Sequence, residues 1–195
     1  SGAMGAAAKP KPGGWLVLSL GTDPPIFDSA LATGIPNLGI ILQVSETLTR
    51  ISPEGGKVLP ALAESWSVSP DGRTWTFKLR RGVRFHDGTP FNAEAVKFNV
   101  ERILDPATRA PARPAFTMID RVVPVDETTV QIVTAGPFAP LPAQLAYAPI
   151  AINSPTQVKK LGANYFTAPM GTGPFKFVHH LKGREVRLVA NKEYW

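Results

Sequence analysis

Three histidines and fifteen acidic residues, with no cysteine among 195 positions, bound the chemistry open to this chain. His86 stands beside Asp87, the pair a general base and its orienting acid would use. Such a base must lie within about 3 Å of the proton it takes, with the acid on its far nitrogen. Neighbours in a tight turn point apart, and Asp87-Gly88 is strong turn chemistry in its own right. His86-Asp87 therefore reads as a corner, with His86 packing or bonding locally. His179-His180 suggests a metal, but adjacent residues of a strand face opposite sides, so one at most could join Glu185 or a distant carboxylate. Gly171-Thr172-Gly173 resembles a phosphate loop only superficially. It lacks a following Lys-Ser/Thr, a third glycine and a helix, and reads as a bend into a strand. The absent thiols rule out a disulfide framework and a zinc-thiolate site. These residues favour binding over catalysis and call for no cofactor. A metal-dependent hydrolase using His86, His179 and nearby acids is the alternative, as is a self-associating interaction domain with open strand edges.

The elements that must position these residues are short. Trp15–Gly21, apolar and closed by glycine, predicts a buried strand, and Thr22–Ala30 a proline-broken loop. Residues 38–51 predict a helix running into a strand, with a Ser52–Lys57 turn returning a second arm through Leu59. Around Pro70-Asp71-Gly72 the pattern is clearest. Trp75, Phe77 and Leu79 alternate with Thr74, Thr76 and Lys78, which predicts a β-hairpin with one buried face. Asn92 caps a helix from Ala93 whose apolar face carries Val96, Val100, Ile103 and Leu104 and which Pro106 ends. Ile119–Thr134 reads as a second hairpin turning at Asp126-Glu127. Residues 139–161 read as a proline-broken helix, a strand Ala148–Ile152 and a short helix, and the rest as a last hairpin.

Twenty prolines and seventeen glycines agree with many loops and short strands. No apolar run nears the roughly 20 residues of a membrane-spanning helix. The formal charge of +6 is scattered rather than clustered, so no nucleic-acid partner is expected. Residues 1–14 read as a cloning scar and flexible leader, leaving 15–195 as the fold. The mixture of hairpins and short helices predicts an α/β, or mixed α+β, class.

The run "LPALAESWSVSPDGRTWTFKLRRGVRFHDGTPFNAEAVKFNVERILDP" resembles the signature region of the extracytoplasmic solute-binding proteins of ABC importers, in the oligopeptide, dipeptide and nickel-binding family. "MGTGPFKFV" and "NKEYW" follow in the family's order. The resemblance implies the first lobe of a two-lobed periplasmic-binding-protein type II fold, with 15–195 as the N-terminal lobe and the second lobe and returning C-terminal segment absent. It also implies no enzymatic activity, a location outside the cytoplasm with or without a lipid anchor, and delivery of peptides or similar small solutes to a membrane permease. A lone lobe would bind weakly or not at all, and its open edges would favour self-association. The family's cleft positions fall on Thr22, Asp23 and Phe27, on Glu46 and Thr47, and on Gly171, Thr172 and Gly173. Glu46 would face a cationic group of the ligand or be a solvated carboxylate, and Thr47 stands where the family commonly has glycine.

Overall fold

A computed structural model describes residues 13–195, so the expected leader lies, up to residue 12, outside the described residues. The architecture is three antiparallel units joined by short helices. A small hairpin pairs β1 (Thr49–Ile51) with β2 (Val58–Pro60), as the Ser52–Lys57 turn predicts. The main sheet has strand order β3-β4-β6-β5, from β3 (Ala63–Val68), β4 (Thr74–Leu79), β5 (Ile119–Asp126) and β6 (Thr129–Thr134). The third unit is a two-stranded hairpin of β7 (Phe175–Leu181) and β8 (Glu185–Ala190).

The period-two pattern of β4 sets the core. Trp75, Phe77 and Leu79 are buried and Lys78 is exposed, as alternation across a pleated strand requires. The turn before β4 is closed by Asp71, whose carboxylate accepts from the Ser69 hydroxyl and the Arg73 N–H, while Gly72 takes φ +71°. Across the sheet lies α2 (Ala93–Leu104), with Val96, Val100 and Ile103 buried against Val130, Ile132 and Phe116. Asn92 caps it, Oδ1 accepting from the Ala95 N–H at 3.0 Å. Helix α1 (Ile35–Val44) buries Ile40, Ile41 and Val44 and ends beside Glu46. Two short helices, α3 (Leu141–Gln144) and α4 (Pro155–Leu161), complete the fold.

Two expected strands do not form. Trp15–Gly21 pairs with no strand, and Trp15 is 77% and Val17 89% exposed. Apolar character makes a strand only where a neighbouring ladder takes its N–H and C=O groups. The Arg187 guanidinium lies over the Trp15 ring, 4.7 Å from its centroid. Ala148–Ile152 instead begins as a 3-10 turn over Ala148–Ile150, and one bridge joins Ile152 to Glu46. Pro149 has no N–H for a ladder, and the Ile150 and Ala151 N–H groups turn back to Tyr147 O and Ala148 O.

Candidate functional site

The corner at His86-Asp87 is built from residues far away in sequence. The His86 N–H donates to Gly171 O, and Nε2 lies 2.9 Å from Gly173 O, which makes Nε2 the protonated nitrogen. Nδ1 is buried without a partner. Burial holds the His86 pKa below its ordinary value, against the Gly173 bond. Asp87 Oδ1 accepts from the N–H and hydroxyl of Thr89, and Oδ2 from the hydroxyl of Ser154, which caps α4. Burial works to raise the Asp87 pKa, yet these donors together bring it below the ordinary carboxylate value. Both side chains are spent joining the turn to α4 and to residues 171–173.

His179 and His180 diverge, as neighbours in β7 must. His179 Nε2 meets Glu185 Oε1 at 2.8 Å, and His180 Nε2 meets Asp23 Oδ1 at 2.7 Å. Among the described residues no three His, Asp or Glu side chains converge. Each histidine is committed to a separate partner, His86 to Gly173 O, His179 to Glu185 and His180 to Asp23.

The Gly171-Thr172-Gly173 bend passes hard against the end of α1. A Cβ on Gly171 would sit 2.4 Å from Ser45 Cα and Val44 O, and one on Gly173 2.6 Å from Gln43 O. The glycines permit this approach, and the Gly173 N–H uses it to reach Val44 O at 2.9 Å. Thr172 is buried, and its hydroxyl donates to Glu46 Oε2 at 2.8 Å. Thr47 is also buried, its hydroxyl turned to Thr49 O. Glu46 is half-buried and takes two further bonds, from the Tyr194 hydroxyl to Oε1 at 2.7 Å and from the Trp195 indole N–H to Oε2 at 2.9 Å.

Along the loop after residue 21, Thr22 and Asp23 are exposed and Phe27 is buried. Asp23 accepts from His180 Nε2 and, at Oδ2, from the Gly183 N–H at 2.9 Å. Phe27 packs on Phe177 and edge-on to His180, both at 5.1 Å between centroids. The structure thus gathers the expected residues around β7–β8: Asp23 and Phe27 along the hairpin, and Glu46 and Thr172 at its open end.

Beneath this lies a layer that sequence reasoning missed. Asp28, 1% exposed, forms a bidentate pair with Arg102 of α2 and accepts from the Ala30 N–H. Asn153 takes the Ser45 hydroxyl on Oδ1, donates Nδ2 to the Ser29 hydroxyl, and exchanges backbone bonds with the Asn99 amide. The partners are dozens of residues apart, so no local pattern reveals them.

Comparison with known proteins agrees with this framework. Residues 57–195 match the profile of "Bacterial extracellular solute-binding proteins, family 5 Middle". The glutathione-binding protein GsiB of Pectobacterium atrosepticum is 38% identical over 139 residues, 71% of this chain and 27% of that protein. Di/tripeptide-binding protein 2 of Pseudomonas aeruginosa is 37% identical over 170 residues, 76% of this chain and 32% of that protein. Among solved structures, the binding protein AgaA of A. tumefacien R10, in complex with agropinic acid, superposes with a TM-score of 0.84 at 33% identity. That superposition covers 89% of this chain and 35% of AgaA. The mixed fold of antiparallel sheets and short helices is thus that of type II periplasmic binding proteins. The chain spans about a third or less of the curated relatives' length.

Proposed function

The chain belongs to the bacterial extracellular solute-binding proteins of family 5, and on that premise we propose that it contributes one wall of a clamp that captures peptides or similar small solutes outside the cytoplasm. Residues 15–195 act as the first lobe of that clamp. The captured solute passes to the permease of an ABC importer, and closure is a hinge motion in which contacts from both lobes stabilise the shut state. The observation that carries this reading is the 37% identity to a di/tripeptide-binding protein, together with the family match over residues 57–195, which include the corner and the main sheet. Relatives in this family are solute-binding proteins, and no helix of the described residues is long and apolar enough to cross a membrane.

Thermal shift tests the reading on a polypeptide that carries these residues and extends to the relatives' length. Di- and tripeptides, glutathione and opines form the panel. A ligand at 100 times its dissociation constant stabilises its protein by about 2.7 kcal/mol, which is easily seen. Silence across the whole panel would remove the reading.

The exposure of Trp15, Leu16, Val17 and Leu18 favours a second reading, in which copies associate through this apolar segment. Light scattering across a concentration series tests it, and a monomer throughout would retire it.

A further inference from the structure

Asp23 and Glu46 sit where a solute-binding wall is expected, yet both carboxylates are already engaged, and both by the same element. At the turn end of the β7–β8 hairpin, Asp23 takes the His180 imidazole at 2.7 Å and the Gly183 N–H at 2.9 Å. At the open end, Glu46 takes Thr172, just before β7, and Tyr194 and Trp195, just after β8. The hairpin is a sheet of its own, hydrogen-bonded to neither β1–β2 nor the main sheet. Phe27 against Phe177 and the bond from Gly173 N–H to Val44 O add to its seating. A two-stranded hairpin is at best marginally stable alone, so these contacts decide where it lies.

We propose that Asp23 and Glu46 are positioning residues, two carboxylate clamps that dock the β7–β8 hairpin at its opposite ends and shape the solute wall through it, without contact to the solute. The inference rests on the solute-binding reading for its purpose, but the clamps themselves are testable without any solute. Charge-assisted hydrogen bonds to carboxylates are about twice as strong as neutral ones, and five donors converge here on two groups. Tyr194 on Oε1, with Thr172 and Trp195 on Oε2, takes three of the roughly four acceptor positions of Glu46.

Amide hydrogen exchange of the 195-residue chain at one fixed pH provides the test, comparing wild type with Asp23→Asn, Glu46→Gln, His180→Phe and Asp23→Asn/His180→Phe. Asp23→Asn speeds exchange about tenfold at residues 180–184, and Glu46→Gln does so at 175–176 and 190–195, while β5 and β6 keep their protection. His180→Phe retains the edge-on ring against Phe27 but loses the donor. It leaves the Gly183 bond, so it gives a smaller rise at 180–184 than Asp23→Asn. The double variant rises by less than the two singles combined, because both changes remove the same His180–Asp23 bond. Unchanged hairpin exchange in the single variants would overturn the proposal, as would an equal rise in β5 and β6. Methylammonium, a bare cationic probe, leaves wild-type exchange unaltered. A methylammonium-dependent rise at 190–195 would make Glu46 a solute contact and overturn its assignment. Failure of the peptide panel would sink the solute reading and leave this exchange pattern standing.

Discussion

Glu46 Oε2 accepts the Trp195 indole N–H at 2.9 Å across 149 residues of sequence, and the Tyr194 hydroxyl reaches Oε1 of the same carboxylate at 2.7 Å. The Arg80 guanidinium lies over the Trp195 ring, 4.5 Å from its centroid. The two aromatic residues therefore cover a carboxylate that the family resemblance offers to a cationic ligand group. The consequence is measurable in the titration of the phenol.

Burial raises the Tyr194 pKa above its ordinary 10.0, and the hydrogen bond and charge of Glu46 raise it further. A raised value for an acid means that the folded state holds its proton more tightly than the unfolded chain. The associated stability is full below pH 10.0 and is lost as the pH rises through the folded value. Glu46→Gln removes the charge and leaves the burial, so Tyr194 ionises part of the way back toward 10.0. Near-ultraviolet phenolate absorbance, taken as the difference between variant and wild type, reads this directly. Superimposable titrations would show that the carboxylate does not govern the phenol.

Gly171 and Gly39 make opposite predictions. Gly171→Ala forces a Cβ to within 2.4 Å of backbone at Ser45 and Val44, neither of which can swing aside. Overpacking of this kind costs about 1–3 kcal/mol. Gly39 is exposed in the interior of α1, and a Cβ there meets nothing within 4 Å. Gly39→Ala stabilises by about 0.5–1 kcal/mol, because alanine loses less backbone freedom on folding and favours the helix. Urea unfolding midpoints check both, and a neutral Gly171→Ala would mean that the bend is looser than described.

The hairpins and α2 were legible because their causes are local. Alternation at Trp75, Phe77 and Leu79, turn chemistry at Asp71-Gly72 and the Asn92 cap each lie within a few residues of what they control. The turn at Asp87-Gly88 was legible for the same reason, but His86, expected to pack or bond locally, instead reaches Gly171 O and Gly173 O. Asp23 and Glu46 were singled out only through the family resemblance, and their partners lie 126 to 160 residues away, where nothing local names them. Trp15–Gly21 shows the converse limit. Apolar composition predicts a strand, while a strand needs a neighbour that only the tertiary fold supplies. At Ala148–Ile152 a local signal against a strand is present, since Pro149 already forbids one ladder bond.

Asp28 and Arg102 form the buried brace beneath the 22–30 loop, with Arg102 also facing the Tyr165 ring at 5.8 Å. Breaking one side of such a pair leaves an uncompensated buried charge, at a cost of about 3–5 kcal/mol. Arg102→Met is therefore severely destabilising. Asp28→Asn/Arg102→Met removes both charges and recovers a large part of the loss. Chemical denaturation of the two singles and the double gives the coupling. If the double variant loses the sum of the singles, the pair is not the brace described here.

His86 supplies the pH prediction. Burial depresses its pKa below 6.5, and the nearby Lys176 adds to this, while the Gly173 carbonyl bond and Asp87 act in the opposite direction. The unfolded chain takes up a proton at the ordinary value, whereas the folded imidazole resists, because its buried Nδ1 has no acceptor waiting. The unfolded state therefore binds more protons between the two values. Stability from this group is full above pH 6.5 and declines as the pH falls through 6.5 toward the folded value. His86→Gln can still donate to Gly173 O but carries no charge at any pH. The drop in urea midpoint from about pH 7.5 to about pH 5.5 is then smaller in His86→Gln than in wild type, with His179 and His180 common to both proteins. Equal drops would mean that His86 protonates freely in the folded protein, which its enclosure between Gly171 and Gly173 forbids.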